Sequence, residues 1–354
     1  MRKKIRFVVT AFGAETVERL CRYCLGTLLA GENRRALEQE FEPIFEVFTQ
    51  KKDILQLRAN QVFQEMDSRG WIKITEIGSK PEFKTHISHW ESAAINMENQ
   101  PEAYLFKLAP DVLFSENSLL SLSQVLRNSP AAVFASWHLR ITPLIAERII
   151  GLASERGISS TEMVRLALTE SHPLLRAYFR DSERFPVHPE NIFYQTEYGC
   201  LARVLACTPM VFAPARCKLG WHQQIETELK PGEVAWLNDS LKFLCLSILE
   251  KEQYQDWYDG LASFDLMEVS SWWKKFSQGG RVEVCKTPFY FFARPGLKKT
   301  ADDKKTFIES SKDVALLKKL RDNFWSLKKE EKIERLIQAA GKYEAPEFYR
   351  SLCA

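Results

Sequence analysis

The acid best placed to do chemistry is Asp111, in the stretch AYLFKLAPDVLFSENSLLSLSQVL (residues 103–126). Residues 104–108 are aromatic and apolar, which predicts a strand inside a sheet. Pro110 lacks the N–H that a ladder needs, so the strand stops there. From Ser118 onward Leu119, Leu122 and Leu126 recur at helical spacing. Asp111 therefore falls between the carboxyl end of a strand and a helix, the edge at which open α/β sheets bind ligands. Aspartate also serves plain turns, and that reading competes here. Glu116 follows shortly after, and a second acid, Glu197, opens a stretch that ends at His222.

Other spacings point to less. His86 and His89 in "HISH" would grip a metal only if both faced one cleft, and no zinc set surrounds them, so a solvated or helix-start pair is the simpler reading. Cys21-x-x-Cys24 is the one metal-like spacing among eight cysteines. It lies in the series Val17, Leu20, Cys21, Cys24, Leu25, Leu28, a single helix face that carries both thiols into the core. A redox pair needs an exposed, electropositive helix start instead. No Gly-x-Gly-x-x-Gly follows the first strand, and there is neither a Walker loop nor a Gly-x-Ser-x-Gly elbow. A classical dinucleotide site, a P-loop enzyme and an α/β-hydrolase are thereby set aside.

The elements that must position Asp111 alternate. Strands are predicted at 7–11, 44–49, 71–77, 104–108 and 131–136, with helices at 15–30, 53–66 and 89–100 between them. Such alternation implies an α/β fold with a mostly parallel sheet and helices on both faces. Ser159 and Glu162 form a capping box for the helix with Met163, Leu166 and Ala167, and Pro186 and Pro189 mark a loop. Residues 200–217 read as a helix, a turn near Pro209 and a short strand. Asp239 reads as a cap for a helix from Leu241. Residues 294–305 read as a linker to two lysine- and glutamate-rich helices at 311–321 and 326–340. These helices either pack back on the body or offer a basic amphipathic face to an anionic membrane.

An apolar share of 45% in 354 residues suffices for a core, and a net charge of +3 is too mild to argue for nucleic acid. The N-terminal run stops at Glu15 without a cleavage site, so it reads as a first strand. Scattered cysteines favour a reducing compartment, hence a cytoplasmic protein, with the inner face of the membrane as a peripheral location.

At this point the chain resembles a family. "FVVTAFGAETVERLCRYCLGTLL" is similar to the opening strand, loop and helix of family 2-type glycosyltransferases with the GT-A, nucleotide-diphospho-sugar transferase fold. "YLFKLAPDVLFSENSLLSLSQVL" resembles their Asp-x-Asp strand and following helix, and "TEYGCLARV" their Glu-Asp-x-x-Leu-x-x-Arg segment. The resemblance covers residues 5 to 225, and uncharacterised bacterial relatives of these enzymes extend it to about residue 300. It implies a GT-A-like, Rossmann-type domain at 1–225, its acceptor-side continuation at 226–297 and a basic helical extension at 298–354.

The implied activity moves a sugar from a nucleotide-diphosphate donor to a glycan or glycolipid acceptor, as in polysaccharide biosynthesis, with inversion by single displacement. Ala11, Phe12 and Glu15 would meet the base, and Asp111 the ribose or a divalent cation, Mn²⁺ or Mg²⁺. His222 would complete the metal set, and Glu197 would be the general base. Ala109 replaces the first acid of the Asp-x-Asp pattern and Tyr198 the second acid of the Glu-Asp pair, while Arg203 sits one residue too near Glu197. Those departures support the alternative of a binding or scaffold protein that kept the fold and lost catalysis. A nucleotidyltransferase would share the alternation but needs a glycine- and base-rich loop after the first strand, which "TAFGAETVERL" does not supply.

Overall fold

Three phenylalanines from three parallel strands stand side by side at the centre of the molecule. Phe7 of β1 (Lys3–Thr10) is in register with Phe45 of β2 (Phe41–Gln50) and with Phe106 of β4 (Ala103–Lys107). Its ring stacks on Phe45 at 4.3 Å and tilts against Phe106 at 5.1 Å, and all three are fully buried. Cross-strand aromatic pairs of this kind fix register, because a slip of one residue would turn each ring to the opposite face. The computed structural model describes residues 2–78, 85–135, 139–156, 158–183, 185, 190–205, 208–219, 225, 227–230, 232–250, 269–270, 273, 286–294 and 301–324.

Around this row lies a mostly parallel sheet of order β11-β6-β10-β4-β1-β2-β3, completed by β3 (Ile72–Ile77), β6 (Ala132–Ala135), β10 (Val211–Phe212) and β11 (Val234–Leu237). Among the described residues only β10 runs against its neighbours. Helices cover both faces. The face of Phe7 packs on Leu20 and Leu28, on Phe63 and Met66, and on Leu119, Leu122 and Leu126. The face of Val8 and Leu105 packs on Trp90 and Ala93 of the helix Thr85–Ile95 and on Ile145, Leu166 and Leu174 further along the chain.

A second sheet is built from continuations of the first. The chains of β4, β6 and β11 each leave the central sheet at its carboxyl edge. They pair again as β5 (Val112–Phe114), β7 (Leu139–Ile141) and β12 (Cys245–Ile248), in the order β5-β12-β7. A third sheet, β13-β9-β8, is made by the hairpin of β8 (Asn191–Thr196) and β9 (Gly199–Val204) with β13 (Phe289–Phe292). Gly199 holds φ +150°, and a Cβ there would stand 2.2 Å from the Phe291 carbonyl oxygen, so this side of the hairpin admits only glycine. The helix Ala301–Phe324 packs on the outside of β8 and β9 over Ile192, Tyr194 and Leu201.

Most predicted elements form, β1, β2 and the C-terminal helix with longer bounds and β3 and β6 with slightly shorter ones. Three readings do not hold. Residues 200–204 are strand β9 rather than a helix, because every side chain of "GCLARV" is buried between two layers and a helix would expose one face. Leu241 follows a turn in which its N–H donates to Asp239 Oδ1 at 2.9 Å, and the chain then enters β12, not a helix. The linker ends early, since residues 301–305 already belong to the C-terminal helix. The stretch 53–66 is two helices, Ile54–Ala59 and Gln61–Ser68, divided where Asn60 caps the second through Val62 N–H. The capping of Glu162 by Ser159 is as predicted, at 3.2 Å. Cys21 and Cys24 are buried core thiols, with burial pushing Cys21 up to about 11. The second C-terminal helix, at 326–340, and the loop at Pro186 and Pro189 lie outside the described residues.

Arg203 holds the C-terminal helix. It is almost fully buried, and its guanidinium donates to Ser310 Oγ, Ser311 Oγ and the Lys286 carbonyl, the shortest at 2.7 Å. Asp313 on the same helix accepts from Arg180 at 2.6 Å and from the Tyr194 hydroxyl at 2.9 Å. Removing one member of such a network leaves buried partners unpaired. Arg203→Ala is expected to lose about 3 kcal/mol in urea unfolding, and an unchanged midpoint would show that the helix is not held this way.

Candidate active site

The carboxyl edge of the central sheet collects the candidate residues. At the end of β1, the Ala11 N–H donates to the Phe48 carbonyl at 2.9 Å and its side chain is buried, so the β1–β2 pairing runs one residue past the strand. Phe12 is half-buried in the loop beyond it. Gly13 takes φ +82° there and donates its N–H to Asp53 Oδ2 at 2.8 Å. A residue with a Cβ would be strained in that conformation. Asp53, buried just beyond β2, thus fixes the shape of the loop, and the sequence pattern had not singled it out. An acid directly after the second parallel strand was the available signal. Glu15 is exposed and pairs with Arg19 one turn along.

On the other face of the edge, His89 Nδ1 shares a hydrogen bond of 2.8 Å with Thr10 Oγ1, and the ring stacks on Phe48 at 4.3 Å. Lys107, the last residue of β4, is wholly buried, with Nζ donating to Thr208 Oγ1 at 2.6 Å and lying 5.6 Å from the Trp90 ring.

Asp111 sits on the seam between the central and second sheets. Its carbonyl accepts from Ile248 N–H at 2.8 Å, which anchors the residue to the end of β12. Arg140 of β7 lies in the same ladder row as Val112, through Ser247. Arg19, on the first helix, pairs with Glu250 two residues beyond β12. The carboxyl of Asp111 is held above the ordinary carboxylate range. Burial is the main cause, opposed by its own backbone N–H and by the charges of Arg19 and Arg140. The segment after β5 is clamped by Asn33. This buried amide donates to the Thr27 and Ser115 carbonyls at 3.1 and 2.8 Å and accepts from Leu119 N–H at 2.9 Å. Thr27 Oγ1 in turn accepts from Phe114 N–H at 3.1 Å.

Glu197 occupies the exposed turn of the β8–β9 hairpin, not a helix start. The turn reaches the same edge of the sheet at its far side. Gly199 pairs with Phe292, whose N–H donates to Ser240 Oγ just past β11. Tyr198, standing where the family pattern has its second acid, is buried against Phe292 and Tyr290 with centroids at 4.8 and 6.4 Å. The structure therefore brings the loop at 11–13, Asp53, Asp111, Arg19 and Arg140 to one stretch of the edge. It sets Glu197 beside the β11 end. His222 lies outside the described residues.

The metal expectation can be set against the donors present. Among the described residues no three histidine, cysteine or acidic side chains converge as a metal set. Asp111 is one oxygen donor near two guanidinium groups that are themselves paired, Arg19 with Glu15 and Glu250 and Arg140 with Glu190. A cavity of about 330 Å³ lies at the opposite, amino edge of the sheet between Arg2, Lys4, Ile44 and Met97, at the far ends of the strands from Asp111.

No family model matches the chain, and no curated protein matches it. Among solved structures it is similar to S. aureus TarS, at 10% identity and a TM-score of 0.33, over 80% of this chain and 41% of that one. For TarS 1-349 in complex with UDP-GlcNAc the figures are 10%, 0.35, 87% and 79%, and for its complex with UDP they are 9%, 0.32, 80% and 68%. The chain thus spans under half of the longer TarS structure. Likeness at this level transfers neither a family nor an activity.

The position of Asp111 has a measurable consequence. An acid whose folded pKa is raised binds its proton more tightly in the native state, so its ionisation costs stability as pH rises. Asp111→Asn is expected to raise Tm at pH 7. The gain should shrink as pH falls to about 4, the ordinary range of the group. A variant that is less stable than wild type at pH 7 would show that the carboxylate is structurally satisfied.

Proposed function

We propose that the carboxyl edge around Asp111 binds the diphosphate of a nucleotide sugar and transfers the sugar to a glycan or glycolipid hydroxyl. One observation carries this reading: Asp111 is anchored through Ile248 N–H on the seam of two sheets, where parallel strands end, and its carboxyl is held above the ordinary range there. Groups kept at a cost to stability, at the edge where α/β sheets bind ligands, are candidates for function. The glycine-bent loop at 11–13, braced by Asp53, is the surface for the base, with Phe12 its partly exposed ring. Asp111 would accept from ribose hydroxyls.

In the proposed displacement an acceptor oxygen attacks the anomeric carbon and the bond to the diphosphate breaks, with inversion. Glu197 takes the proton of the attacking hydroxyl. The electron pair of the broken bond leaves on the diphosphate, toward which Arg19 and Arg140 would turn from their pairs with Glu250 and Glu190. A divalent ion at Asp111 and His222 belongs to the same proposal through the family resemblance. A second reading, binding without turnover, is favoured by one observation, the buried Tyr198 in place of an acid.

Thermal shift with UDP, GDP, CDP and dTDP, each with Mn²⁺, Mg²⁺ or EDTA, tests the site. One nucleotide at about a hundred times its Kd should stabilise the wild type by about 2.7 kcal/mol, and Asp111→Asn should lose most of that increment. An EDTA-resistant shift assigns the diphosphate to the arginines, and an EDTA-sensitive one to a metal. Glu197→Gln should keep the shift while transfer falls by about 10²–10⁴-fold. Binding with no transfer from any donor establishes the second reading, and no shift with any nucleotide refutes the site.

A further inference from the structure

We propose that the outward face of the C-terminal helix Ala301–Phe324 docks on an anionic lipid surface. The inward side of this helix is settled by its contacts. Ser310, Asp313, Val314 and Leu317 are buried, Arg203 holds Ser310 and Ser311, and Arg180 and Tyr194 hold Asp313. At 100° per residue the opposite side is a different surface. Lys304, Lys305, Ile308, Lys312, Leu316 and Lys319 fall within an arc of about 120° centred away from the buried stripe. Ile308 and Leu316 are 45% and 43% exposed between those lysines. The arc runs about 22 Å along the helix.

Four lysines fall in the arc against one acid, Asp322 near the end of the helix. Glu309 stands at the margin of the arc, where its charge acts on Arg180. Among the described residues no ion pair engages Lys304, Lys305, Lys312 or Lys319. Four cations with two aliphatic side chains between them match the boundary between phosphate headgroups and acyl chains. A phosphodiester backbone would use the lysines but would leave Ile308 and Leu316 in water. A second copy of the same face would set lysine against lysine. No described helix is long and apolar enough to cross a bilayer, so the contact is a surface one. It stands whether or not the sheet edge transfers a sugar.

The test is co-sedimentation of the full chain with phosphatidylcholine vesicles, with and without about 30 mol% phosphatidylglycerol. Binding is expected to the anionic vesicles only and should weaken with salt. Each lysine at such a surface is worth roughly a factor of five in affinity, so Lys312→Gln with Lys319→Gln should weaken binding by about 30-fold. Ile308→Ser should weaken it without changing its salt dependence, which surface charge alone would not produce. Lys218→Gln with Lys230→Gln removes the same charge from elsewhere and should bind as wild type. Unchanged melting curves would show that the variants fold. Failure of the wild type to bind anionic vesicles overturns the proposal. So does equal binding to neutral vesicles, an equal loss in the control pair, or tighter binding of duplex DNA through the same lysines.

Discussion

The alignment of Phe7, Phe45 and Phe106 across β2, β1 and β4 is the constraint on which the other features rest. In a parallel sheet the register of one strand against the next decides where each strand ends. With Phe7 level with both partners, β1 ends at Thr10 beside Phe48, while β4 ends at Lys107 beside Val8. The loop at 11–13 and the approach to Asp111 then emerge next to one another. A slip of one residue would turn the phenylalanines onto the opposite face, packed for other side chains, and would also put Thr10 and Lys107 on the wrong face.

Beyond that edge lies a second sheet made from the same strands. Because β5, β7 and β12 continue β4, β6 and β11, the central sheet cannot shift without moving the ladder that holds Asp111. Asn33 adds a lock from the opposite helix layer, using both of its polar atoms on backbone groups near the segment after β5. Rigid support of this kind allows a carboxylate to persist where burial raises its pKa. The arginines nearby lessen that cost without removing it.

The C-terminal helix has a comparable division of labour. Its inward side commits polar contacts to the hairpin, through Arg203 and Asp313. Its outward side is thereby oriented, and lysines spread along the sequence gather on one mainly basic face. Arg203 illustrates how context decides a residue: in the family pattern it belongs to a catalytic segment, and here it is a buried tie to a helix more than a hundred residues later.

The amino-acid order alone determined the alternation of strands and helices through residue 136, the ends of β3, β4 and β6 to within a residue or so, the cap at Ser159 and the burial of the two thiols at 21 and 24. These rest on local periodicity and on side chains that act on their own backbone. That Asp111 follows the end of a strand was legible for the same reason, since Pro110 ends a strand wherever it falls, but the strand β5 directly after it, where a helix was expected, was not. Tertiary structure decided the rest. "GCLARV" is apolar enough for helix or strand, and only the pairing of both its edges, with β8 and β13, selects a strand. Asp53 acts on a backbone group 40 residues away and Asn33 on the Ser115 and Leu119 backbone more than 80 residues away, so no local pattern announces those contacts. Likewise, which side of the last helix faces water depends on the hairpin it covers, and that contact exists only once the sheet has formed.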